Sequence, residues 1–72
     1  NSLYETVMVT ANDELVHLFL EGKINFLDIV KKLSMIMKLR EFNKYRYIYP
    51  KNFNQIKNLS SYVRLKVNNL CI

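Results

Sequence analysis

Apolar residues recur through the first twenty positions with the spacing of a helix. Tyr4, Met8, Ala11, Leu15 and Leu18 stand at i, i+4, i+7, i+11 and i+14, a register that shares one side of a helix. Val7, Phe19 and Leu20 widen that stripe. One amphipathic helix is therefore expected from Ser2 to Leu20. Ser2 and Glu5 have the spacing of a capping box, with Ser2 capping the Glu5 amide and Glu5 reaching back. The β-branched Thr6, Val7, Val9 and Thr10 weaken the local helix preference and offer a competing strand over residues 6–10. The stripe runs unbroken to Leu18, which favours the helix. Gly22 follows where a residue of left-handed conformation would end it.

A second stripe comprises Phe26, Ile29, Val30, Leu33, Ile36 and Met37, with Lys31, Lys32 and Lys38 largely off it. Asn25 is a good N-cap and Asp28 falls in the first turn, where its charge favours the helix dipole. The short connection predicts antiparallel neighbours. The stretch from Glu41 to Asn52 loses the pattern. Its "NKYRYIYPKN" alternates tyrosines with Arg46 and Ile48 before Pro50, which biases Tyr49 away from helix, and an extended loop is expected. Phe53 to Leu70 is helical again. Phe53, Ile56 and Leu59 mark a short first piece, Ser60 or Ser61 is placed to cap a second, and Tyr62, Val63, Val67 and Leu70 form its buried face. Arg64, Lys66 and Asn68 point out. The expectation is an all-α fold: one small three- to four-helix bundle with an extended Tyr-rich crossover.

Composition narrows the class. A chain of 72 residues is one domain or a piece of one, and a domain of that size buries only ~60% of its unfolded surface. Cys71 is the sole cysteine, so neither a disulfide framework nor a zinc cluster can be assembled from thiols. No run approaches the ~18 apolar residues of a membrane span. The opening "NSLYETVMVT" has no basic region or small-residue cleavage site, so it is not read as a secretory signal. The first residue is not Met, and a processed product or a fragment of a longer chain is expected. The net charge of +5 permits nucleic acid or an anionic surface as a partner. Abundant Asn, Lys, Ile and Tyr beside scarce Gly, Pro, Ala and Trp is also what AT-rich codons produce, so the charge has a second reading without a ligand.

Few residues could carry chemistry. His17 is the single histidine, with Asp13 and Glu14 one helical turn before it. Helix-surface pairs of this kind are commonly structural. Glu21 and Asp28 suit helix-end roles, and no two carboxylates have an acid–base spacing. No Cys, His or acid cluster has metal-ligand spacing, and no glycine-rich loop offers a phosphate cradle. The segment "KLREFNKYRYIYPK" interleaves Lys38, Arg40, Lys44, Arg46 and Lys51 with Phe42, Tyr45, Tyr47 and Tyr49. Cations neutralise phosphates and aromatic faces stack on bases, which makes Arg40, Lys44 and Arg46 candidate nucleic-acid contacts. The alternative is a crossover packing its tyrosines onto the bundle.

The stretch "TANDELVHLFLEGKINFLDI" resembles the start of the C-terminal helical domain of the 1-deoxy-D-xylulose 5-phosphate reductoisomerase family. That family carries Asn-Ala-Ala-Asn-Glu, a hydrophobic helix ending in Phe-Leu, and then Ile-x-Phe-x-Asp-Ile. Ala11 and Asn12, Phe19 and Leu20, and Ile24, Phe26, Asp28 and Ile29 take those places. In the tail, Phe53, Ile56, Tyr62 and Arg64 take the Leu, Ile, Trp and Arg places of the family's closing segment. Val9, Thr10, Asp13 and Ser60 depart from the pattern, and the Tyr-rich crossover has no match in it. The resemblance implies a single domain over residues 1–72, set after NADPH-binding and catalytic domains that hold the cofactor, a divalent metal and the substrate phosphate. No catalytic, cofactor-binding or metal residue then belongs to this chain. Its partner is the preceding catalytic domain, with room for a homodimer through the parent protein and no membrane. The parent's setting would be isoprenoid precursor synthesis by the methylerythritol phosphate pathway, in a plastid or a cytoplasm. Asn12 and Asp13 become structural anchors, holding either the loop before the last helix or a loop of a domain outside this chain. A buried Asn left unpaired costs ~1–3 kcal/mol.

Overall fold

A computed structural model describes residues 2–71. All regular elements among them are helical: α1 (Leu3–Leu20), α2 (Phe26–Met37), α3 (Arg40–Asn43), a 3₁₀ turn (Lys44–Tyr47) and α4 (Phe53–Cys71). The competing strand over residues 6–10 does not form. Contacts between helix ends fix the directions. Tyr4 at the start of α1 donates its hydroxyl to the Met37 carbonyl at the end of α2, at 2.7 Å. Phe19 at the other end of α1 meets Phe26 at the start of α2. α2 therefore runs antiparallel to α1. α4 runs parallel to α1, since Thr10 meets Ser60 and Glu14 meets Asn68 further along both.

α1 is the central element, packed by α2 on one side and α4 on the other. Its buried set is Leu3, Val7, Thr10, Ala11, Leu15 and Leu18. The expected stripe is thus rotated by about one position at its start. Tyr4 is half-buried at the edge and Met8 is 43% exposed. Helix α1 is apolar on more than one side, so periodicity alone did not select the inward one. Ile29 and Ile36 of α2, Phe42 of α3, and Leu59, Val63 and Val67 of α4 complete the core.

The helix ends follow local chemistry. The Ser2 hydroxyl accepts from the Tyr4 amide at 3.3 Å, one residue earlier than the capping-box register, while the Glu5 amide bonds the Ser2 carbonyl. Gly22 has φ +78°, and α1 closes in a Schellman turn: the Gly22 amide bonds Phe19 O and the Lys23 amide bonds Leu18 O, both at 2.9 Å. The Asp28 carboxylate accepts from the Asn25 amide at 3.0 Å, as the N-terminal register of α2 requires.

Two expectations are corrected. The crossover is extended only from Ile48 to Asn52, because α3 and the 3₁₀ turn occupy residues 40–47. Phe42 is fully buried, and seating that ring winds the backbone into a short helix around it. α4 has no break at Ser60 or Ser61. Ser60 instead receives a hydrogen bond from the buried Thr10 hydroxyl at 3.3 Å. Within α4 the inward face is Leu59, Val63 and Val67, while Tyr62, Leu70 and Phe53 are exposed.

Candidate functional site

The basic, tyrosine-rich crossover wraps the end of the bundle where α1 begins. The Ile48 carbonyl accepts from the Leu3 amide at 2.7 Å, which satisfies one of the donors a helix N-terminus leaves unpaired. The Arg46 guanidinium lies over the Tyr4 ring, its Cζ 4.5 Å from the centroid. Its Nε donates to Asn43 Oδ1 at 2.6 Å and its Nη2 to the Tyr4 hydroxyl at 3.3 Å. Tyr4 in turn reaches the end of α2. One guanidinium thus ties the crossover to α1 and, through Tyr4, to α2.

A second tie joins α3 to α4. Glu41 Oε1 accepts from the Tyr62 hydroxyl at 2.5 Å, and Glu41 Oε2 lies 3.1 Å from Lys66 Nζ. The hydrogen bonds from Tyr62 and then Lys66 hold the Glu41 carboxyl below the usual glutamate range. The same contacts push the Tyr62 phenol and the Lys66 ammonium up. The Tyr62 ring also meets buried Phe42 edge-on at 6.1 Å.

The three candidate nucleic-acid contacts therefore part company. Arg46 is occupied in the clamp, Lys44 lies 5.2 Å from the Tyr45 ring centroid, and Arg40 is exposed. Beyond them Tyr47 and Tyr49 are largely exposed beside Lys51.

The other candidates lie apart from the crossover. His17 pairs forward with Glu21, Nε2 to Oε2 at 3.3 Å, and not with Asp13 or Glu14; Lys23 joins the same carboxylate at 3.3 Å. Glu14 instead accepts from the Asn68 side chain at 2.7 Å. Cys71 is a free, half-buried thiol that burial pushes up. Asn12 and Asp13 are exposed on the outward side of α1. Among the described residues neither side chain is placed in a hydrogen bond; the loop before α4 bonds the start of that helix, the Lys51 amide to Gln55 Oε1 and the Gln55 amide to Asn52 Oδ1.

Sequence comparison adds what geometry cannot. The family described as DXP reductoisomerase C-terminal domain matches residues 1–66. The chain belongs to that family. The 1-deoxy-D-xylulose 5-phosphate reductoisomerase of Pelagibacter ubique (strain HTCC1062) is 46% identical over 72 residues, all of this chain and 19% of the relative. No solved structure matches the chain significantly. The family's motif residues now have places in this DXP reductoisomerase C-terminal domain. Ala11 and Ile29 are core, Phe19 and Phe26 join α1 to α2, and Asp28 starts α2. Asn12 and Leu20 face outward.

The resemblance puts the cofactor and the metal in the preceding domains, and the described residues present no site that fits either. No group of three His, Cys, Asp or Glu among the described residues is placed to hold a metal ion. The one glycine is spent on a helix end, so there is no phosphate-binding loop. Nor is any described helix long and apolar enough to cross a membrane.

Proposed function

We propose that this chain is the non-catalytic helical support domain of a polypeptide that performs the NADPH-dependent reductoisomerase reaction on 1-deoxy-D-xylulose 5-phosphate, feeding the methylerythritol phosphate route to isoprenoid precursors. The observation that carries the reading is identity spread over the whole chain to one fifth of a reductoisomerase, within the C-terminal domain family. In this reading NADPH, the divalent metal and the substrate phosphate are held by the preceding domains. The reading leaves room for a homodimer through the parent protein, in a plastid or a cytoplasm. The domain's own part is mechanical: it gives the catalytic part a packed surface.

The test is NADPH consumption with 1-deoxy-D-xylulose 5-phosphate and a divalent metal. The full-length polypeptide should turn over and residues 1–72 alone should not. Turnover by the isolated domain would overturn the division of labour.

A second reading keeps the crossover as a nucleic-acid surface, on the exposed rings of Tyr47 and Tyr49 together with the exposed cations Arg40 and Lys51. It requires binding that weakens steeply with salt and is lost with Arg40→Ala and Lys44→Ala. Arg46 is no test residue for it, because its removal also opens the clamp.

A further inference from the structure

Helix α1 has two apolar sides, and only one is covered. Opposite the core, Val9, Val16 and Leu20 are 55%, 36% and 75% exposed. At 3.6 residues per turn they fall within about 40° of one another around the axis. Asn12 and Asp13 flank this row on the same outward side. The edge-on contact of Phe19 with Phe26, at 5.6 Å, carries the apolar surface across to α2. There Phe26, Leu27 and Val30 are each about two-thirds exposed. Helices apolar on every side are normally buried on every side, and contiguous exposed apolar surface marks a contact.

Charge narrows the occupant. All 11 Lys and Arg residues lie beyond α1, which carries Glu5, Asp13 and Glu14. The α1 half of this face is apolar, with Glu5 and Asp13 beside it and no cation, which does not suit a nucleic acid; on the α2 half exposed Lys31 adjoins Val30. A second copy could cover the same face, and a product of dimer mass is its outcome in the test below. The occupant that the coverage supports is the rest of the polypeptide. This chain accounts for 19% of the length of its relative, so a reductoisomerase chain has ample surface elsewhere to cover six large apolar side chains.

We propose that the outward α1–α2 face, centred on Val16 and Leu20, is where the catalytic part of the same polypeptide docks, with Asn12 and Asp13 bonding its backbone across the interface. The proposal rests on the reading of this chain as a reductoisomerase domain. It turns the exposed Asn12 and Asp13 into interdomain contacts.

Site-specific photo-crosslinking in the full-length polypeptide tests it. A photoreactive phenylalanine analogue is placed at Val16 and, separately, at Leu65, an exposed residue of α4. The Val16 probe should crosslink within one polypeptide, to a peptide outside residues 1–72, and the Leu65 probe should not. A Val16 product of dimer mass, or a Val16 yield no higher than that at Leu65, would overturn the proposal. Limited proteolysis gives a second readout. Val16→Asp with Leu20→Asp should speed cleavage between the domain and the catalytic part by about ten-fold or more, since burying one such side chain is worth at least that ratio. Leu65→Asp should leave the rate unchanged, and equal rates for the two variants would count against the face. Turnover by the unsubstituted polypeptide separates the two failures. An active polypeptide without the Val16 crosslink means that the face is wrong. An inactive one means that the reductoisomerase reading is wrong, whatever the crosslink shows.

Discussion

The two ends of this bundle are closed by different means. At the end where α1 begins, four segments converge: Arg46 stacks on Tyr4, Tyr4 reaches Met37, the Ile48 carbonyl takes the Leu3 amide, and Phe42 fills the space beneath. At the other end a single residue in a left-handed conformation, Gly22, turns the chain. The ion pairs around it, His17 and Lys23 with Glu21, are exposed and worth little. One end is thus secured by side chains distant in sequence, the other by the backbone turn at Gly22 and the nearby edge-on pair of Phe19 and Phe26. Substitutions should therefore hurt broadly at the first end and locally, around this turn, at the second.

The largest effect should come from Phe42→Ala. Its ring has no exposure, and removing it leaves a cavity under the crossover that costs about 3–5 kcal/mol. A small domain has about that much stability in total, so circular dichroism should find most of the cooperative thermal transition gone. A variant that melts within a few degrees of the parent would show that the crossover end is not keyed by this ring. Gly22→Ala should come next. An added Cβ would meet nothing within 4 Å, so the cost is purely conformational, about 1–2 kcal/mol. At ~4–8 °C per kcal/mol for a domain of this class, the melting temperature should fall without loss of helix content. An unchanged melting temperature would mean that the turn tolerates another conformation.

How legible each end was follows from the same difference. The Gly22 turn and the Asn25 start of α2 were readable, because a positive φ and a cap each leave a residue-type mark within a few positions. The crossover was not. Phe42 is buried by elements that arrive from both sides of it in the chain, and nothing within "REFNKYRY" states that its ring will be enclosed. Ser60 was misread for a related reason. Serine serves equally as a cap and as a partner for a buried hydroxyl, and Thr10 comes to it from 50 residues away. The apolar register of α1 was ambiguous because the helix has two apolar sides. Among candidate site residues, Arg46 has one partner three residues away, Asn43, but the one that ties it to α1, Tyr4, lies 42 residues off, beyond any local pattern. The family motif was legible because its residues are mostly the local ones: core positions, a cap and a helix junction.

Arg46→Ala probes the clamp at smaller amplitude. It removes a stacked cation worth about 0.5–1 kcal/mol at an exposed site and hydrogen bonds of net value about 1 kcal/mol. Arg46→Lys sharpens the result. It keeps the charge but loses the planar fork, so a melting temperature near that of Arg46→Ala would assign the clamp to geometry. Recovery to the parent value would assign it to charge alone.

The smallest effect should belong to the Glu41 tie, and it should show in pH dependence more than in magnitude. Glu41 is held below its usual range by the hydrogen bond from Tyr62 and then by Lys66. A carboxyl lowered on folding stabilises the fold above its unfolded-state value, and that contribution is lost as pH falls through the folded-state value. Glu41→Gln should therefore lower the melting temperature at neutral pH by a degree or so and converge with the parent in acid. The raised phenol of Tyr62 and ammonium of Lys66 act at the other limit. Their contribution is present below their unfolded-state values and is lost as pH rises through the folded ones. Parent and Glu41→Gln should thus converge in strong alkali as well. A gap that stays constant from acid to alkali would mean that Glu41 acts by packing and not through its charge.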